Sequence, residues 1–267
     1  MADLDDLVTA VLATSKYQHI SPDLVRRLGA AELGKRPRLK EAVKATKNKL
    51  HQIGGAYFTA SIDYKAALAQ ITDGRRRGPE AEKEALAAVM RRHASTNERL
   101  PVLAEFYAAT LAGLPPIHSV LDVACGLNPL ARPWMPLAED AVYLAYDIYA
   151  DMMAFLNDYF ALAGVPGRAA VRDVAAAPPT EPVDLALLLK TLPVLAQEDK
   201  TAVPRLLDTL QARYLLVSFP AQSLGGRQKG MVANYEAQFD QWVAGRNWQV
   251  KRFEFASELA FLVEKNF

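Results

Sequence analysis

The stretch SVLDVACGLNPLA, residues 119–131, runs from an apolar strand-like segment into a turn that holds a single glycine. Asp122 ends the apolar run and Gly126 follows four residues later. At a strand-to-helix turn of this kind, ligands sit beyond the carboxyl ends of the strands. A glycine there lets backbone N–H groups come close to the ligand. A dinucleotide fingerprint needs G-x-G-x-x-G, and two of those glycines are absent, so the turn suits a smaller cofactor without phosphates. Asp147 closes the run VYLAYD, 21 residues after Gly126, where an acid can take hydrogen bonds from ribose hydroxyls. Asp173 closes RAAVRD and can accept from an exocyclic adenine amine. A strand-end aspartate caps a helix as readily as it binds a ligand. The ordered trio, with a loop for an amino-acid moiety, nevertheless describes S-adenosylmethionine.

The residues that are missing narrow the reaction. An exocyclic-amine methylase carries D/N-P-P-Y/F after its fourth strand, and this chain has Lys190-Thr191-Leu192-Pro193 there. The single cysteine, Cys125, lies in the cofactor turn, where it reads as a small packing residue and not a nucleophile, and it excludes disulfides and cysteine-built zinc. The four histidines have no metal-ligand spacing. A ring nitrogen with an exposed lone pair, such as guanine N7, needs no general base, so positioning carries the catalysis. Lys190 either contacts the base or its phosphate, or snorkels from a strand end.

These residues need a scaffold. After Pro116, short apolar runs at 119–124, 141–146, 185–189 and 214–219, with a weaker one at 169–172, alternate with helical patterns such as Met152, Leu156, Tyr159 and Ala163. Such alternation predicts a parallel sheet covered on both faces. WQVKRFEFA and ELAFLVEKN predict a closing antiparallel hairpin. The first hundred residues read as helices. Leu4, Leu7, Val8, Val11 and Leu12 recur at helical spacing, Ser21-Pro22 starts a second helix, and Lys40–Leu50 forms a third that ends at Gly54-Gly55. ITDGRRRGPE, residues 71–80, reads as a loop, and Ser95 with Glu98 as a capping box opening a helix through Leu111. The expected division is a helical unit over 1–93 and a sheet unit over 94–267.

Charge divides the chain at the same place. Residues 1–93 carry 17 Lys and Arg against 11 Asp and Glu, the remainder 14 against 19, within a total of +1. Arg36, Lys40, Lys44 and Lys47 stripe one helical face with Lys49 nearby, and Arg26-Arg27, Arg75-Arg76-Arg77 and Arg91-Arg92 add clusters. Such a surface fits an anionic partner, although a charged stripe can also be a solvated face. No apolar run reaches membrane-spanning length, and MADLDDLVTAVL lacks the basic start of a signal peptide, so a cytoplasmic protein is expected.

KYQHISPDLVRRL, HASTNERL, LDVACGLNPLA, YDIY, RDVAAAPP, LLLKTLP and VSFPAQSLGGRQKGM, in that order from Lys16 to Met231, carry a resemblance. The chain is similar to the aminoglycoside-resistance 16S rRNA methyltransferases that modify N7 of a decoding-site guanine, the sisomicin–gentamicin resistance type. The resemblance implies a Rossmann-like class I S-adenosylmethionine-dependent fold. It implies that Ala124, Cys125 and Gly126 line the methionine part, Asp147 with Ile148 the ribose, Asp173 with Val174 the adenine, that Arg99 pairs with the cofactor carboxylate, and that Leu189 and Gln197 complete the pocket. It further implies that Lys190, Arg227 and Lys229 position the substrate, and that Arg36, Lys40, Lys44, Lys47, Lys49, Arg75 and Arg76 dock RNA. The expected partner is the 16S rRNA of an assembled 30S subunit, met by a monomer, with neither DNA nor membrane involved. A small-molecule methyltransferase, an adenine-N1 methylase and a non-catalytic RNA-binding protein stay open as alternatives.

Overall fold

The computed structural model describes residues 4–55, 57–58, 61–221 and 230–266. Three helices come first: α1 (Leu4–Leu12), α2 (Pro22–Leu33) and α3 (Leu39–Leu50), the last running into one wider helical turn over His51–Gly55. Their apolar stripes, among them Leu7, Val11, Leu24, Val25, Leu28, Ala42 and Leu50, close a small core. The Ser21-Pro22 start is borne out: the Ser21 hydroxyl accepts from the Leu24 amide at 3.4 Å and Pro22 opens the helix.

α4 (Tyr64–Arg77) and α5 (Pro79–Met90) form a tight antiparallel pair. The loop expected over 71–80 is helix instead, broken only at Gly78 with φ +115°. Gly74, inside that stretch, is a point of close approach of the two helices: a Cβ there would lie 2.7 Å from the Ala81 carbonyl oxygen. Absence of a side chain lets the backbones meet, and that packing outweighs the cost of a helical glycine, about 1 kcal/mol.

The expected single helix from Ser95 to Leu111 is two, α6 (Ala94–Arg99) and α7 (Leu103–Thr110), split by one 3₁₀ turn around Pro101, which lacks the N–H a continuous helix needs. Nor is Ser95 the cap, since it lies within α6 after His93. Thr96 bonds back to the Met90 and His93 carbonyls at 2.7 and 3.0 Å instead.

The rest is one sheet of seven strands: β1 (Ser119–Val123), β2 (Val142–Asp147), β3 (Gly167–Val171), β4 (Val183–Leu189), β5 (Ala212–Pro220), β6 (Trp248–Glu254) and β7 (Glu258–Lys265), in the order β3-β2-β1-β4-β5-β7-β6. The first five are parallel and the last two close as the expected antiparallel hairpin. α8 (Ala150–Ala163) and α4–α5 share the core on one face. α9 (Leu192–Glu198), α10 (Ala202–Thr209) and α11 (Met231–Val243) flank the other. The β1–β2 register pairs Val123 with Tyr146, so Asp122 and Asp147 end on one rim. Among the described residues, no helix is long and apolar enough to cross a membrane.

Candidate active site

A cavity opens at the carboxyl edge of β1, β2 and β4, where the order of connection reverses around β1. That is the place an open α/β sheet offers a ligand. Among the described residues, two non-glycine residues hold left-handed φ, Ala124 at 52° and Lys190 at 60°, and both border this cavity. Such strain persists only where the surroundings enforce it, and it concentrates at functional turns.

The turn after β1 explains itself. Gly126 has φ +51°, and a Cβ would lie 2.7 Å from the His93 ring, so the backbone folds flat beneath that imidazole. The Gly126 amide donates to Asp147 Oδ2 at 2.9 Å and the Ile148 amide to Oδ1 at 2.6 Å. Asp147 is thereby held at the end of β2 with acceptor capacity to spare. Burial raises its pKa, opposed by the amides of Gly126, Ile148 and Tyr149. Asp122 is more enclosed. Its Oδ2 accepts from Asn128 at 2.8 Å and from the Tyr143 hydroxyl at 2.7 Å, while Oδ1 is buried without a partner. Burial pushes its pKa up to about 7 against those two hydrogen bonds. Asp173 combines both readings of a strand-end acid: Oδ1 caps the following turn through the Ala175 and Ala176 amides at 3.2 and 3.3 Å, and the carboxylate borders the cavity.

The opposite wall is cationic and paired. Arg99 is 1% exposed. It grips Glu258 through Nε and Nη2, the shortest contact 2.6 Å, and gives Nη1 to Asn128 at 3.0 Å. Burial opposes its charge, yet Glu258 holds the guanidinium firmly protonated. Lys190 does not snorkel. Its ammonium turns inward to Glu98 at 2.6 Å and the Ser95 carbonyl at 3.2 Å, with Glu258 at 3.6 Å. Glu258, wholly buried, thus balances two cations and also accepts from the Ser218 hydroxyl. His93 stacks on Tyr57 with centroids 5.8 Å apart and has an unpartnered buried Nδ1. Burial, then the charges of Lys190 and Arg99, lower its pKa to about 4, so it is neutral near pH 7.

The cavity brings together Arg99, Ala124, Cys125, Gly126, Asp147, Ile148, Asp173, Val174, Leu189 and Lys190 of the residues singled out in the sequence. Gln197 instead borders an adjacent shallow groove with Lys49 and Gln52. Arg227 and Lys229 lie outside the described residues. Of the docking cations, Lys40 and Lys44 are exposed and Lys47 half-buried. Arg36 and Lys49 pair with Glu32, and Arg75 with Glu82 at 2.7 Å. The sequence reading missed Glu258, His93, Asn128 and Glu198. For His93 and Asn128 the signal was present in HASTNERL and CGLNP, whereas Glu258 opens β7 like any hairpin acid. Among the described residues, no cluster suited to a metal appears.

Helix α2 and the turn after α3 help to form this cavity. Leu24, Ile53 and Gly54 line it, and a Cβ on Gly54 would touch the Tyr149 hydroxyl at 2.7 Å. The Ser21 amide bonds the Ile148 carbonyl at 2.8 Å and the Ala150 amide the His19 carbonyl at 2.7 Å, directly beside Asp147.

Comparison with known proteins matches this geometry. A family model described as ribosomal RNA methyltransferase (FmrO) covers residues 13–262. A 16S rRNA (guanine(1405)-N(7))-methyltransferase of Micromonospora echinospora is 38% identical over 98% of this chain and 97% of its own. One from Frankia casuarinae is 41% identical over 98% and 94%. The crystal structure of 16S rRNA methyltransferase RmtF in complex with S-adenosyl-L-homocysteine superimposes with a TM-score of 0.85, at 34% identity over the whole of both chains. Sequence and architecture agree: the chain belongs to the FmrO family of ribosomal RNA methyltransferases.

Proposed function

We propose that this protein methylates N7 of guanine 1405 in 16S rRNA, the activity for which its relatives are named. The observation that supports this best is the set of three strand-end acids around one cavity, each with acceptor capacity left. S-adenosylmethionine carries donors at its ammonium, ribose and adenine, and an electrophilic methyl group when bound. Asp122 Oδ1, buried without a partner, suits the ammonium, Asp147 the ribose hydroxyls, and Asp173 with Glu198 the adenine amine. Arg99 retains N–H groups beyond those given to Glu258 and Asn128, which suit the methionine carboxylate. In the reaction the N7 lone pair forms the new C–N bond as the S–C bond breaks. The purine gains the positive charge and no proton leaves, so no base is required. A neutral His93 adds no repulsion to that charge.

The target sits in a folded RNA surface, and the division of labour over 1–93 and 94–267 gives docking to the first unit. Lys40, Lys44 and Lys47 supply phosphate contacts, with Arg76 as a further cation, while Arg227 and Lys229 hold the swung-out base and its backbone, and Lys190, already held by Glu98 and Glu258, positions the rim beneath it. The substrate is the assembled 30S subunit, the enzyme a cytoplasmic monomer, and the outcome aminoglycoside resistance.

Incubation of 30S subunits with enzyme and S-adenosylmethionine, borohydride–aniline cleavage and primer extension should give a stop at guanine 1405. Asp147→Ala should abolish the stop at low cofactor and weaken calorimetric binding of S-adenosylhomocysteine at least tenfold, about 1.4 kcal/mol. A stop elsewhere overturns the target, and wild-type binding by the variant overturns the ribose assignment.

A further inference from the structure

Arg27 projects from α2, an element of the helical unit, into the wall of the sheet unit's cavity. In the sequence it reads as half of an exposed basic pair, Arg26-Arg27. In the structure the two residues part. Arg26 meets Asp5 at the surface, with both side chains at least half exposed. Arg27 donates from Nε to Asp173 Oδ2 at 2.7 Å and pairs through Nη1 with Glu198. Both carboxylates border the cavity, Asp173 with 10% of its side chain exposed and Glu198 with 8%. Arg27 itself stands behind them, and its Nη2 is buried with no hydrogen-bond partner.

Two carboxylates on one poorly solvated wall repel each other, and each is free to rotate away or take up a proton unless a cation lies between them. A guanidinium is planar and permanently charged, so it can hold both at fixed angles. We propose that Arg27 is a positioning residue for cofactor binding: it fixes the Asp173 and Glu198 carboxylates toward the adenosine end of the site from the helical unit. Cofactor affinity then depends on how α2 is seated. By linkage, a filled site seats α2, and with it the docking face of α3 packed against it, more firmly. The inference rests on the assignment of Asp173 to the adenosine end.

The test is a double-mutant cycle read by calorimetric titration with S-adenosylhomocysteine, using full-length protein. Arg27→Gln should raise Kd about tenfold and leave kcat on 30S subunits at saturating cofactor within about twofold. Arg27→Lys should recover part of the loss. In an Asp173→Asn background, Arg27→Gln should cost clearly less than about tenfold, because one of its two carboxylate partners is already gone. The slope of 30S affinity against salt should not change, since the guanidinium faces carboxylates and not phosphates. Unchanged Kd in Arg27→Gln, or losses that simply add, overturn the inference while Asp173 keeps its role. Unchanged Kd in Asp173→Asn removes the assignment beneath both.

Discussion

Lys40, Lys44 and Lys47 stand on one face of α3 with no acidic partner among the described residues, whereas Arg27, Arg99 and Lys190 each meet a carboxylate at the cavity. Both sets are ordinary cations in the sequence. The first set keeps its hydration and is available to a phosphate. Of the second set, Arg99 and Lys190 have lost nearly all their water while 34% of the Arg27 side chain stays exposed, and all three are held by Asp173, Glu98, Glu198 or Glu258. Removing one partner of a buried pair strands a charge, while removing an exposed cation costs stability almost nothing. The difference lies in what the fold places opposite each charge, and it separates the cations that shape the cofactor site from those that can grip RNA.

The sharpest way to break this distinction is Glu258→Ala. It leaves Arg99 and Lys190 without their shared acid and the Ser218 hydroxyl without its acceptor. The expected cost is about 3–5 kcal/mol, which lowers the thermal midpoint by about 10 °C for a chain of this size. The loss should be nearly independent of salt, because a buried pair is little screened. A loss under about 1 kcal/mol would show that Glu258 does not hold the cationic wall together.

Next in size is the outward set. Lys40, Lys44 and Lys47 changed together to Glu should lower 30S affinity more than about 100-fold at moderate salt and flatten its salt slope by about two units. Cofactor affinity and thermal midpoint should stay close to wild type, since these side chains touch neither core nor cavity. If methylation of 30S persists at its normal rate, α3 is not the docking face.

Legibility follows the same line. Strands β1, β2, β4 and β5, the closing hairpin and the acids at Asp147 and Asp173 could be read because each depends on a local apolar run or a strand end. The stretch 71–80 misled because Gly74 within it admits Ala81 from another helix, a contact made only after the chain turns at Gly78. Ser95 and Glu98 have the spacing of a capping box, but Lys190, about ninety residues on, takes both the Ser95 carbonyl and the Glu98 carboxylate. Glu258 was invisible for a stronger reason: Arg99 is 159 positions away, and nothing near Glu258 in the chain signals that it will be wholly buried. Pairing at long range converts exposed-looking charges into structure. A count of basic residues over 1–93 therefore overstates the docking surface.

That overstatement makes the smallest prediction the most discriminating. Arg36 and Lys44 belong to the same basic stripe, but Arg36 pairs with Glu32, whose side chain is 3% exposed and also meets Lys35 and Lys49. Those three cations hold the Glu32 pKa down, Lys49 through a hydrogen bond foremost, so its carboxylate is charged across the physiological range. With Lys35 and Lys49 still present, Arg36→Gln should change stability by less than about 0.5 kcal/mol. Its effect on the 30S salt slope should also be small, less than about 0.4 units, because its guanidinium is held on Glu32. Lys44→Gln, equally mild for stability, should flatten that slope by about 0.7–0.9, the contribution of one phosphate contact. Equal slopes for the two variants would mean that Arg36 leaves Glu32 for the RNA on docking. The division between paired and free cations would then hold only for the unbound protein.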